Sequence, residues 1–229
     1  MSARRAVRWL LALSLMVLAA TAWLLSATPG GALPSGQARS ASAQREPARP
    51  TKPNIVFLLA DDLDLNLGSI EFMPQLKSLL REQGTTLEEF FVNNSLCCPS
   101  RATFLLGQYV HNHRTYTNQP PAGGFEKFLA DSLELSTVAA WLQAAGYRTA
   151  LLGKYLNGYP LPTDRTHIPP GWSEWYSPAA GSAYRQFNYT LNENGELVEY
   201  GARPQDHMTD VLAARSVEII ERAVRNREP

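Results

Sequence analysis

The sequence predicts an α/β protein with a mixed, largely parallel sheet. Three observations carry this. Short apolar runs alternate with helical periodicity from Pro53 onward. Two of the runs end abruptly in charged residues, Asp61-Asp62 and Lys154. A hairpin pattern and an amphipathic segment follow towards Pro229. Parallel sheets bind ligands at the carboxyl ends of their strands, so those two run ends are the first places to look for chemistry.

Asn54 to Ala60 holds Ile55, Val56, Phe57, Leu58 and Leu59 in one row, which predicts a strand buried on both faces. Met73 to Gln83 sets Leu76, Leu79 and Leu80 at helical spacing, and Gly84 stops it. Residues 85–92 are rich in strand formers. A short helix is predicted over Ser100–Leu106, just after Pro99. Thr137–Ala145 reads as a helix stopped by Gly146, and Tyr147–Leu152 as a strand leading into Gly153-Lys154. Proline and aromatic residues dominate from there to Pro178, and no element is predicted. Phe187–Leu191 and Glu196–Tyr200 flank Asn192-Glu193-Asn194-Gly195, a hairpin signal. Thr209–Arg225 is predicted to be an amphipathic helix with Val217, Ile220 and Val224 on one face.

The chain has 229 residues, with 21 Lys+Arg against 21 Asp+Glu. That balance excludes a strongly basic nucleic-acid binder and an acidic solvating tail. The balance is uneven along the chain. The first 43 residues carry Arg4, Arg5, Arg8 and Arg39 and no acid, so the remainder is mildly acidic. Arg4, Arg5 and Arg8 precede an uncharged apolar run, Trp9 to Ala27. Residues 1–27 are therefore expected to be a signal peptide or an N-terminal membrane anchor. The expected destination is secreted, periplasmic or cell-surface, reached through the export machinery. Residues 28–52, rich in Ala, Pro, Ser, Gly and Arg, are expected to form a disordered linker, with the fold beginning at Pro53.

Four places hold candidate chemistry. Asp61-Asp62 puts two carboxylates side by side at a predicted strand end, where a hard cation would relieve their repulsion. A solvated acidic turn is the plainer alternative. Cys97-Cys98-Pro99-Ser100-Arg101 sets a cysteine just before a helix, where the helix N-terminus and Arg101 favour an anion beside a reactive group. The alternative is a pair of inert buried thiols. Lys154 follows a strand and a glycine in a chain of only four lysines, although most lysines are ordinary surface residues. His111 and His113 lack a companion Cys or His cluster, so they read as polar contacts to a substrate or as structural hydrogen bonds.

Taken together, these motifs resemble a known family. Cys97 to Gly107 resembles the sulfatase signature, Cys-x-Pro-Ser-Arg followed by a short helix and a glycine. Pro53 to Asp62 is similar to the family's first strand and metal-ligand pair, and Gly153-Lys154-Tyr155 to its strand-end lysine. The double cysteine, Gly153 to Asn157, Pro169 to Trp175 and Asn188 to Leu191 resemble the N-acetylglucosamine-6-sulfatase branch. Tyr109 to His113 and Tyr116-Thr117-Asn118 resemble its heparan-sulfate 6-O-endosulfatases.

The resemblance implies an alkaline-phosphatase-like sulfatase fold and hydrolysis of glucosamine 6-O-sulfate in sulfated glycans. It implies that Cys97 is oxidised to formylglycine by a formylglycine-generating enzyme. The hydrated aldehyde then attacks sulfur and later releases sulfate by re-forming the aldehyde. Asp61, Asp62 and residue 97 would hold one divalent cation, Ca²⁺ ahead of Mg²⁺. Arg101 would orient the formylglycine and Lys154 would stabilise the sulfate oxygens. His111, His113 and Asn157 are the candidate substrate contacts. Leu156 stands where many sulfatases carry a histidine, so the general acid is not assigned. The family's histidine-proline motif, Asp-Asn pair and second lysine are not recognisable. Residues 53–229 are thus expected to be the N-terminal part of a catalytic domain, with a sheet incomplete at the C-terminus and an inactive isolated chain. An arylsulfatase, a phosphonate-ester hydrolase and a non-catalytic glycan-binding remnant are the competing readings.

Overall fold

A computed structural model gives the fold over residues 52–64, 66–180 and 183–229. The predicted export segment and all of the linker except Lys52 lie outside the described residues. Helix α1, Cys97–Leu106, positions the site. It begins three residues earlier than predicted, because Pro99 falls in the first turn, where no backbone N–H is needed. Gly107 ends it in the left-handed region, at φ 61°, and its N–H donates to Thr103 O at 2.9 Å. One face of α1 buries Cys98, Ala102, Leu105 and Leu106. An adjacent face carries Cys97, Arg101 and Phe104 at four- and three-residue spacing.

Three further helices follow: α2 (Val110–His113), α3 (Gly124–Ala130) and α4 (Val138–Ala144). Thr137 caps α4 by accepting from Ala140 N, and Gly146 lies just beyond the end, as the sequence predicts. The sheet has four strands in the order β1 (Ala150–Leu152), β2 (Glu174–Ala180), β3 (Tyr189–Glu193) and β4 (Glu196–Tyr200). It is mixed: β1 pairs with β2 in parallel, and the next two pairings are antiparallel. β3 and β4 form the predicted hairpin. Asn194 and Gly195 both have positive φ, 54° and 95°, which a tight two-residue turn requires. Helix α5, Met208–Asn226, completes the fold.

The main core lies between α1, α3 and the sheet. Tyr155, Tyr159, Phe125 and Trp175 meet edge to face, with ring centroids 5.1–6.0 Å apart. Tyr159, Trp175 and Asn192 share partly buried hydrogen bonds, including Trp175 Nε1 donating to Tyr159 Oη at 2.7 Å. This core fixes the backbone that follows β1, where Gly153 turns the chain (φ 99°) and donates to Tyr176 O.

Several predicted elements differ from the structure. Residues 54–60 are not a paired strand: among the described residues nothing hydrogen-bonds to them in a ladder, and Ile55 to Leu59 are exposed. An apolar row states that a segment suits burial but does not supply the neighbouring strand. Residues 85–92 are likewise irregular and exposed. The predicted helix over Met73–Gln83 is present from Pro74 to Arg81 but changes winding within itself, α-helical over Pro74–Leu76 and a wider π turn over Lys77–Arg81, after a turn at Ser69–Phe72. Val217, Ile220 and Val224 do share a face of α5, but that face is open; its first turns pack on the hairpin through Met208, Val211 and Leu212. Strand β2 was not predicted. It contains Pro178, which sits where its register with β3 shifts, a place that tolerates a missing N–H. Among the described residues no helix is long and apolar enough to cross a membrane.

Candidate active site

The exposed segment ending in Asp61-Asp62 lies along the Cys97–Arg101–Phe104 face of α1. Phe57 stacks on Phe104, with centroids 4.1 Å apart and ring planes at 9°. One turn further along α1, Arg101 Nη2 donates to Asp61 Oδ1 at 3.2 Å. Another turn brings the segment to Cys97. Ligand atoms of Asp61, Asp62 and Cys97 all lie within 4.8 Å of one another. Asp62 adopts φ 55°, a conformation that costs a non-glycine residue and turns the chain sharply at this point. A cleft of about 70 Å³ opens here, lined by Leu59, Ala60, Asp61, Asp62, Ser95, Cys97, Ser100 and Arg101.

Two cations border the cleft. Lys154 Nζ donates to both oxygens of Asp61, at 3.1 and 2.9 Å, and to Tyr184 Oη at 2.7 Å. Arg101 Nη1 donates to Lys154 O at 2.7 Å, so the strand-end backbone holds the guanidinium while the strand-end ammonium holds the carboxylate. Both basic side chains are only 11% exposed. Burial alone would raise the Asp61 carboxyl, but the bonds and charge of Lys154, with those of Arg101, hold it below the ordinary range. Burial likewise pulls Lys154 down, and its bonds to Tyr184 and Asp61 more than reverse that.

The remaining candidates divide. Cys98 is fully buried, its N–H donates to Asn118 Oδ1 at 2.8 Å, and burial pushes its thiol up. Cys97, on the neighbouring face, is the partly exposed cysteine. His113 is buried; Thr115 N donates to its Nδ1 at 3.1 Å and its Nε2 lies 3.0 Å from Thr103 Oγ1. That leaves it the structural hydrogen bonds named as one of its two expected uses. His111 is exposed and stacks on Tyr109. Asn157 accepts Phe125 N through its carbonyl O, and its side-chain Oδ1 is buried without a partner among the described residues. Sequence reasoning missed Tyr184, and it used Asn118 only as part of a resembling run. Both reach the site through contacts at least 20 residues apart in sequence, which no local pattern announces.

Chemically, the donor set suits a hard cation in part. Two carboxylates are the oxygen ligands such an ion prefers, whereas an unmodified thiol at position 97 is a soft one; an oxygen-bearing residue there would match them. The two flanking cations and the first turn of α1 equally suit a tetrahedral oxyanion beside that ion. Comparison with known proteins decides between generic possibilities. A family profile described as Sulfatase matches residues 53–227. The chain belongs to the sulfatase family.

Its sulfatase relatives narrow the likeness. A Sulf-1 homolog of Caenorhabditis elegans is 41% identical over 175 residues, covering 76% of this chain and 24% of that one. An extracellular sulfatase SULF-1 homolog of Drosophila melanogaster is 37% identical over 184 residues, covering 80% and 16%. The N-acetylglucosamine-6-sulfatase of Homo sapiens is 39% identical over 174 residues, covering 74% and 31%. The chain therefore spans less than a third of the length of each of these relatives.

Proposed function

We propose that the protein is a sulfuric ester hydrolase that removes 6-O-sulfate from glucosamine or N-acetylglucosamine in sulfated glycans. One observation carries the reading: two carboxylates, residue 97 and two cations converge on a single cleft at the N-terminus of α1. The substrate class rests on the N-acetylglucosamine-6-sulfatase likeness. Residue 97 acts after conversion to formylglycine by a formylglycine-generating enzyme. That group supplies a hydrated aldehyde, with one hydroxyl to attack sulfur and a second to release sulfate. Asp61 and Asp62 would hold a divalent cation, Ca²⁺ ahead of Mg²⁺, which offsets sulfate charge.

The chain's own residues do the positioning. Arg101, anchored on the Lys154 carbonyl, orients residue 97 and fixes Asp61. Lys154 presents its ammonium where negative charge gathers, as its hold on Asp61 illustrates, and stabilises the sulfate oxygens. Cys98 stays a thiol in the core, so the adjacent Cys97 is the one available to modifying enzymes. Of the candidate substrate contacts, Asn157 keeps a side-chain oxygen without a partner among the described residues, while both nitrogens of His113 are engaged. We also infer export. The basic and apolar order of residues 1–27 supports it, as does the word extracellular in the name of the Drosophila relative.

The test is the mass of the tryptic peptide containing residue 97, after co-expression with a formylglycine-generating enzyme. The aldehyde-bearing peptide is expected, and Arg101→Ala should reduce its yield or its reactivity. An intact, alkylatable thiol in every preparation overturns the reading.

A further inference from the structure

The first turn of α1 does not cap itself. Leu96 stands at the N-cap position and makes no side-chain bond to the turn. Pro99 has no N–H to give, and Ser100 N donates back to Leu96 O at 3.0 Å. Cys98 N instead donates to Asn118 Oδ1 at 2.8 Å, a partner 20 residues further along the chain. That N–H belongs to the peptide unit whose other end is the carbonyl of residue 97. A peptide unit is planar, so holding its N–H holds the plane, and with it one of the two backbone torsions that aim the residue-97 side chain.

Asn118 is itself placed by a closed loop. Tyr116 N donates to Ala122 O at 2.7 Å, and Gly124 N donates to Thr117 O at 3.0 Å. At Gly123 a Cβ would lie 1.8 Å from Thr117 O, so only glycine lets the two arms of the loop approach. The next residue along, Phe125, donates its N–H to Asn157 O at 2.7 Å, close after Lys154 in the chain. The loop thus touches both parts of the packed side of the site: the turn bearing residue 97 and the strand-end segment bearing Lys154. We propose that Asn118 is a positioning residue: its side-chain oxygen holds the 97–98 peptide and so sets how residue 97 enters the cleft beside Asp61, Asp62 and Arg101. The proposal rests on the sulfatase reading above and concerns the same site. Such support matters, since a shift of about 1 Å at a reacting group can slow a reaction roughly a hundredfold.

The test uses the full 229-residue chain, co-expressed with a formylglycine-generating enzyme, and an aminooxy probe that condenses with the residue-97 aldehyde to an oxime and water. Peptide mass gives the labelling rate, in the folded chain and in urea. The folded chain is expected to label more slowly than the unfolded one, because the cleft walls restrict approach to residue 97. Asn118→Ala is expected to bring the folded rate about threefold or more towards the unfolded rate, the scale of one lost hydrogen bond. Asn118→Asp, which keeps an acceptor oxygen, is expected to stay within about twofold of the unsubstituted chain. Urea midpoints are measured alongside. A purely structural cap would move the midpoint and leave the folded labelling rate where it was, and that result overturns the proposal. Equal changes in labelling for the Ala and Asp substitutions overturn it too, as does a folded unsubstituted chain that labels as fast as its unfolded form. An Asn118→Ala chain that does not fold also overturns it, since Asn118 would then hold the fold rather than one peptide. If no aldehyde forms in any of these chains, the sulfatase reading falls, and the proposal with it.

Discussion

Residues 52–96 and residues 97–229 are both rich in apolar side chains, and they meet opposite fates. In the second region Cys98, Ala102, Leu106, Phe128 and Trp175 are buried in a shared core. In the first, none of the described residues is buried; Phe72 and Phe91 are each 84% exposed. The difference shows that apolar content specifies burial only where a complementary face exists. It also locates the site. Asp61 and Asp62 come from the open region, and residue 97, Arg101 and Lys154 from the packed one. The site is a seam, held by one ring stack and by the ion pairs of Asp61.

Three substitutions sharpen that contrast. Trp175→Ala should have the largest effect. Its side chain is fully buried against Tyr155, Tyr159 and Trp172, and truncation should cost about 3–5 kcal/mol in urea unfolding. A loss below about 1 kcal/mol would mean that the core is not the cooperative unit. At the seam, Asp61→Asn removes one of the two carboxylates and the charge that draws Lys154 and Arg101 to the open segment. Calcium affinity should fall by more than about tenfold by titration calorimetry. Unchanged affinity would place the ion elsewhere.

Glu174→Gln probes the packed side through pH. Glu174 is buried between Arg148, at 2.9 Å, and Arg222. Burial alone would raise its carboxyl, but the two arginines outweigh that and hold it below the ordinary 4.5. A carboxyl lowered in the folded state contributes stability that is present above pH 4.5 and fades as pH falls through the lower folded value. At pH 7 the variant should lose about 1–2 kcal/mol, discounted because both arginines are partly exposed. The gap from the unsubstituted chain should close in acid. A loss that persists undiminished in acid would assign the effect to packing instead.

The same contrast explains what could be read from the sequence. Helix α1, the Gly146 stop after α4 and the Asn194-Gly195 turn are local: Pro99, Gly107, Gly146 and Gly195 each act within a few residues, so they were legible. The row Ile55–Leu59 was legible as apolar, but pairing is non-local, and the segment ends unpaired among the described residues. β2 was hidden because Pro178 argues against a strand unless a register shift accommodates it. At the site, Asp61, Asp62, Cys97, Arg101 and Lys154 were singled out in advance, and the structure brings them together. Asn118 and Tyr184 were not, because only the completed fold carries them there.

The smallest expected effect tests the open region. Phe91→Ser changes a large apolar side chain to a polar one, which in a packed site would cost several kcal/mol. Here the ring is mostly in solvent, so unfolding stability should stay within about 0.5 kcal/mol. The consequence should appear in association instead. Ile55 to Leu59, Phe90 and Phe91 add up to an exposed apolar surface, and such surfaces drive self-association or docking in water. The variant should therefore remain monomeric to higher concentration than the unsubstituted chain in sedimentation or light scattering. A stability loss above about 2 kcal/mol would show that Phe91 is packed in solution, and the two regions would then be one core.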